Sequence, residues 1–416
     1  MHGVGVACAL TAGAWLGSAE APTKLVTAGY SPILISLCMV SGVFVARWTL
    51  PTLMKGTAYV FKDTAARPHL SIWAIFAGAL WAVANTLTVI AIRDVGLSIA
   101  FPLWNTNSLV GIFWGWLLFG ELRGGGRFNA LKVLSGTVAI IAATVMLTFA
   151  SMHQGGARPD RVLPGLAAAF GASLMWGTMY IPYRKAYLSG MNPLSFVTVF
   201  TVGELLTMGI LALTLSGGAS SLLTQLHAIR PAIFWLFLGG FCWVIGDLFQ
   251  HFATRYIGIS RGIPLSNTNQ FWGLAWGALV FGELSGVNRL GQLEIVSASV
   301  LMIAGALAIG SAVAKKGEVA RSEKAVAREC QRYGLDYEHA LRGMQGNSEE
   351  AAAGTSRSPW DVVIVLAALG IFIWLSIGAN RPPLAMDTRW AYAIACVIVA
   401  LMGATGWALW KRTQFS

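Results

Sequence analysis

Charge is sparse in this sequence. Asp, Glu, Lys and Arg make up 11% of its 416 residues, against roughly 25% in soluble domains. A chain that is 56% hydrophobic and so sparingly charged is hard to cover with a water-facing surface. Cysteine is scarce too. Cys8, Cys38, Cys242, Cys330 and Cys396 are scattered, with no Cys-x-x-Cys pair. Four of them fall in apolar stretches, where a thiol behaves as a small hydrophobe, which argues against a metal or disulfide framework. No Gly-x-x-x-x-Gly-Lys-[Ser/Thr] loop occurs, so no P-loop ATPase drives the chain, and the glycines at 124–126 lack the phosphate motif that would open a helix. His-Glu-x-x-His is missing as well. These absences point away from an enzyme and from any metal or cofactor.

What is present is length enough to cross a bilayer, many times over. Apolar stretches of spanning length fall near 3–23, 32–53, 70–92, 97–119, 129–150, 163–187, 194–215, 231–254, 259–281 and 292–313, with two more near 360–378 and 389–410. Residues 4–21 have the length of a signal peptide, but the basic n-region is missing. The segment is read as a retained first helix.

The chain also contains itself twice. Gly78 to Leu122 aligns without a gap on Gly240 to Leu284 at an offset of 162, with 19 of 45 positions identical. The shared positions include Trp81/Trp243, Pro102/Pro264, Asn105/Asn267, Asn107/Asn269 and the ending Phe-Gly-Glu-Leu. Gly17 and Pro22 likewise fall on Gly177 and Pro182 at offset 160. That period is too long for a solenoid unit. It fits a duplicated half-protein, as in secondary transporters, whose substrate sits where the halves meet.

Basic residues set the orientation. Loops after even-numbered spans carry 21 of the 29 Lys and Arg, and those after odd-numbered spans carry 8, so by the positive-inside rule both termini are expected in the cytoplasm. Five spans per half is an odd number, so the second copy enters the membrane inverted. The +11 net charge then needs no nucleic-acid partner, because cytoplasmic loops beside anionic lipid account for it. The expected fold is all-α and integral to a plasma or bacterial inner membrane. It consists of one five-helix repeat (1–153), a second, inverted repeat (154–313), a polar cytoplasmic connector (314–359) read as solvated, and two additional transmembrane helices (360–416). A homodimer is left open.

Gly120-Glu121 and Gly282-Glu283 at the ends of the fourth helices, in two inverted five-helix repeats, resemble the drug/metabolite transporter superfamily. Pro102-Leu-Trp-Asn-Thr-Asn, followed by Trp114-Gly and Phe119-Gly-Glu, resembles its glucose/ribose porter branch, which includes bacterial glucose-uptake proteins and is related to rhamnose–proton symporters. The resemblance covers about residues 1–313. It implies a ten-helix core that moves a sugar, and residues 314–416 depart from that pattern.

Polar side chains inside a span are costly unless they face protein or water. Asn105, Asn107, Asn267 and Asn269 follow Pro102 or Pro264 near mid-span. Amides both donate and accept hydrogen bonds, which suits a hydroxyl-rich ligand; the bland alternative is a helix-to-helix bridge. Gln270 and Asn85 are candidates on similar grounds. Trp15, Trp104 and Trp176 could offer flat faces to a sugar ring or simply pack. Asp247 stands where the first copy has Asn85, and Gln250 and His251 follow it on the same helical face. Glu204 stands where the first copy has Val43. Acids confined to one half suggest proton coupling, with Asp247 as carrier, His251 as relay and Glu204 as runner-up. Glu121 and Glu283 are expected to be structural, near Arg123 and Arg289.

The sequence therefore points to a proton-coupled sugar porter. An exporter or carrier of amines, amino acids or ureide-like compounds is the alternative within the same superfamily. A membrane enzyme, or a sensor that uses 314–359 as its output, is the alternative outside it.

Overall fold

In a computed structural model the described residues are 1–19, 21–22, 30–95, 103–104, 106–124, 126–150, 162–282, 289–345, 357–380 and 386–415. They form sixteen α-helices and no strand. In chain order these are α1 (His2–Ser18), α2 (Pro32–Lys55), α3 (Thr57–Ala66), α4 (Pro68–Val95), α5 (Asn107–Leu118), α6 (Arg127–Ala150), α7 (Val162–Leu188) and α8 (Pro193–Leu215). There follow α9 (Ala219–Ile257), α10 (Ile259–Ser266), α11 (Asn269–Ala275), α12 (Arg289–Gly310), α13 (Lys316–Tyr333), α14 (Tyr337–Gln345), α15 (Pro359–Ile377) and α16 (Thr388–Thr413). Among the described residues nine helices, α2, α4, α6 to α9, α12, α15 and α16, are long and apolar enough to cross a membrane. The chain is a multi-pass integral membrane protein.

Three expected spans take another form. The first is the 17-residue α1, and the fourth is represented by α5. The ninth, read as one span over 259–281, is divided into α10, α11 and a π-helical turn at Trp276–Val280. α9 is also longer than expected, running 39 residues through Pro231. At 1.5 Å per residue that is about 58 Å, well beyond a bilayer core of about 30 Å, so its first turns project from the membrane.

Local sequence sets the helix starts. α2, α8 and α15 each carry proline in the first turn, where its missing N–H costs nothing. Asn192, Ser358 and Asp387 accept backbone N–H groups as N-caps of α8, α15 and α16.

Packing between the halves comes in related couples. α4 packs on α7 and α8, and its copy α9 packs on α1 and α2. α5 packs on α7, and α11 packs on α1. Close crossings repeat in the same way. A Cβ on Gly42 would strike the Phe237 carbonyl oxygen and one on Gly240 that of Met39, fixing α2 against α9. Gly78 against Phe200 and Gly203 against Ile75 do the same for α4 and α8. Such backbone approaches are how helices associate where lipid removes the hydrophobic drive.

Candidate functional site

The deepest polar feature is an ion cluster among α2, α7, α8 and α9. Arg47 is fully buried, as are Glu204, Asp247 and His251. Its guanidinium donates through Nη1 to Glu204 Oε2 at 2.9 Å and through Nη2 to Asp247 Oδ2 at 2.7 Å. It lies 4.1 Å over the Phe200 ring and 5.5 Å from that of Trp243. His251 Nε2 stands 3.2 Å from Asp247 Oδ2, while the Tyr187 hydroxyl meets its Nδ1 and Tyr183 stacks on the ring at 4.2 Å. That arrangement suits a neutral imidazole with its proton on Nε2.

Counting charge, one guanidinium faces two carboxylates. An ionised cluster with neutral His251 carries one uncompensated negative charge, which is expensive away from water. Arg47 Nε, Glu204 Oε1, Asp247 Oδ1 and Tyr183 Oη are buried and have no hydrogen-bond partner. With both carboxylates ionised the cluster is therefore one positive charge short, and its unpartnered carboxylate oxygens, Glu204 Oε1 and Asp247 Oδ1, are the atoms able to accept a proton.

Sequence reading found three members and missed the fourth. The i,i+4 pair Asp247–His251 forms as expected, and Glu204 joins it. Arg47 is one of the 21 cations that the charge count assigns to loops after even-numbered spans. It lies inside α2, eight residues before the helix ends at Lys55. The signal was available: at the offset that pairs Val43 with Glu204, Arg47 falls on the buried Met208.

The Asn-Thr-Asn sequence marks a break in the helix. α10 is capped at Asn267, and α11 begins at Asn269. Broken helices of this kind carry the sites of many secondary transporters. Asn267 Nδ2 donates to Asn107 Oδ1 at 3.1 Å and to Ser108 Oγ at 2.6 Å, so the motifs of the two halves touch each other. Asn269 accepts from Gln270 at 3.1 Å, and Asn85 donates to Ser36 at 3.0 Å. Asn105 and Pro102 lie outside the described residues.

The three tryptophans are not gathered. Trp176 packs edge-on to Trp81 at 5.4 Å, and Trp81 meets its own copy Trp243 at 5.2 Å. Trp104 sits in a separate cluster with Ala91 and Ala168, and Trp15 in another with Val280 and Ile394. Trp81, Trp176 and Trp243 thus form one edge-to-face stack.

One face of the molecule is held by buried charge. Glu121 turns away from Arg123, its expected partner, which stacks on Trp116 at 4.0 Å. Its carboxylate instead pairs with Arg184 at 3.1 Å and accepts the N–H groups of Ile259 and Ser260 at 3.2 and 2.8 Å, which caps α10. Glu283 lies outside the described residues. The connector, expected to be solvated, is instead docked here. Glu318 is buried and bidentate on Arg261 at 2.7 and 2.8 Å, and Lys185 binds Glu329 at 2.6 Å.

A family model described as sugar transport protein matches residues 168–330. The protein named probable glucose uptake protein GlcU of Staphylococcus epidermidis is 24% identical over 266 residues, which cover 61% of this chain and 86% of the relative. A Bacillus cereus protein named for sugar uptake is 24% identical over 284 residues, covering 67% and 93%. A solved crystal structure, 15% identical, superposes with a TM-score of 0.50 over 73% of this chain and 95% of the other, which is a likeness of fold. The relatives found are transport proteins rather than enzymes.

Proposed function

We propose that this protein is a secondary active transporter of a sugar or similar small polyhydroxylated metabolite, coupled to protons and working by alternating access of two inverted halves. The observation that carries the reading is the asymmetric ion cluster where the halves meet. Its members, Arg47 from the first half and Glu204, Asp247 and His251 from the second, have Met208, Val43, Asn85 and Val89 as their counterparts in the opposite halves. A duplicated frame supplies two equivalent packings of one architecture, and the matched couples of helix contacts support that symmetry. A charge set present at one of two equivalent positions and absent from the other makes the two arrangements unequal in proton affinity. Binding one proton neutralises the cluster, and moving that proton with substrate ties uptake to the gradient.

The neutral amides of Asn107 and Asn267 suit hydroxyl groups, and an indole face such as that of Trp176 suits the C–H face of a pyranose. The named relatives are sugar and glucose uptake proteins, which favours the same substrate class. The test is a radiolabelled uptake panel of hexoses, pentoses and amines in cells lacking their own sugar porters, with and without a protonophore. Accumulation of a sugar that collapses on protonophore addition is expected; accumulation of amines alone would overturn the reading.

A further inference from the structure

We propose that α13 and α14 form a latch across the two halves, and that the face they cover opens only when the latch releases. The inference rests on the alternating-access reading above. A single carboxylate, Glu318, grips both halves: it accepts the Leu122 N–H of the first at 3.1 Å and the Arg261 guanidinium of the second at 2.7 and 2.8 Å. Leu122 has a φ of 62°, a left-handed conformation that a leucine rarely adopts, and Glu318 takes up its N–H. Farther along α13, Glu329 holds Lys185 of α7, and Tyr333 stacks on His69 of α4 at 3.8 Å. The backbone at Gly317 closes on that at Gly124. Separating α4 and α5 from α7 and α10 on this face would break these contacts.

The seam is built to release. Its apolar part is small, formed chiefly by Leu188, Ala325, Val326, Cys330 and Ala340. A cavity of about 270 Å³ also opens in it, lined by Leu118, Phe119 and Leu188 on the core and by Arg328, Glu329 and Arg332 on α13. Little apolar area is buried here, so the hold depends on the buried Glu318–Arg261 pair and the partly buried Lys185–Glu329 pair.

Cys330 reports the latch directly, because it is 3% exposed on the docked face of α13. The test uses full-length protein with the other four cysteines changed to alanine, in nanodiscs that leave both faces accessible. Glu318→Gln and Lys185→Gln should each speed maleimide labelling of Cys330 roughly ten-fold, as expected for losing a buried charged hydrogen bond. Unchanged labelling in both variants would overturn the latch. A second variant, His69→Cys with Tyr333→Cys and Cys330→Ala, is bridged by a short reducible bis-methanethiosulfonate in proteoliposomes. Bridging should stop D-glucose counterflow and reduction should restore it; counterflow that persists with the bridge complete also overturns the latch. If D-glucose fails to exchange even without the bridge, the result counts against the sugar reading, and Cys330 labelling alone decides the latch.

Discussion

At residue 47 the chain carries a guanidinium where its own copy carries the thioether of Met208. That difference is as informative as the one at Asp247, yet only the acids stood out in the sequence. A carboxylate in mid-span is conspicuous, whereas an arginine within two turns or so of a helix end looks like a loop charge. Burial separates the two cases, and burial is a tertiary property. The cluster gives a sharp expectation. Arg47→Met alone strands two buried carboxylates and should cost about 3–5 kcal/mol, seen as poor folded yield in the membrane. Adding Glu204→Val and Asp247→Asn gives all three positions the residues of their counterparts and should restore yield without restoring accumulation against a gradient. If the triple variant accumulates substrate with wild-type pH dependence, the cluster is structural. Asp247→Asn by itself should abolish concentrative uptake while counterflow in the same vesicles survives.

At the scale of the helix, the duplicated motif could be read from sequence but its geometry could not. Pro264 predicts a kink; that the chain leaves helical geometry at Asn267 follows from its contact with Asn107 and from Gly13 and Gly17 of α1, which leave room for Thr268 and Asn269. Asn267→Ala and Asn107→Ala remove the amide bridge between halves. Each should weaken transport roughly 5- to 150-fold, the cost of about 1–3 kcal/mol for an unmade buried hydrogen bond, while the protein still reaches the membrane. Wild-type rates in both would reduce the asparagines to packing. Gly240→Leu, at the α2–α9 crossing, should instead lower thermal stability in detergent by forcing backbones apart. The α13 helix was the element least legible in advance. Its many charges hide the stripe of Ala325, Val326 and Cys330 that docks it, and a buried glutamate such as Glu318 cannot be told from a solvated one by composition. Burial pushes the Glu318 carboxyl up, but the Arg261 guanidinium and the Leu122 N–H outweigh it and hold it below the usual carboxylate range. Its contribution is therefore present at neutral pH and lost only as pH falls through that depressed value. The Cys330 labelling ratio between Glu318→Gln and wild type, each compared at one pH, should stay constant from pH 7 to pH 6.

For the whole molecule, the apolar stretches were enough to mark a multi-pass membrane protein, because length and hydropathy answer to the bilayer rather than to particular contacts. The sidedness argument gains support from where the loops meet. Thr57 binds Asp361 at the start of α15, Arg67 reaches the Ser189 carbonyl at 2.9 Å, and Glu121 and Arg184 join α10 to α7. Asn192 donates to the Phe415 carbonyl at 2.8 Å, and His2 lies 2.8 Å from that of Gly310. The loops after the even-numbered spans, and both chain ends, therefore gather on one face, the face that the excess of Lys and Arg assigns to the cytoplasm. Several of those cations, Arg67, Arg184 and Arg261 among them, are buried in ties that hold the face together, so the charge bias records architecture as well as topology. Two exposed positions test the orientation. Lys62 lies on α3 within the gathered face, and Thr224 lies near the start of α9, about 50 Å along the helix from its other end at 1.5 Å per residue. In a background without native cysteines, Thr224→Cys should react with an impermeant maleimide on intact cells, and Lys62→Cys only after permeabilisation. Labelling of Lys62→Cys from outside would reverse the molecule in the membrane and place the α13 latch at the external mouth.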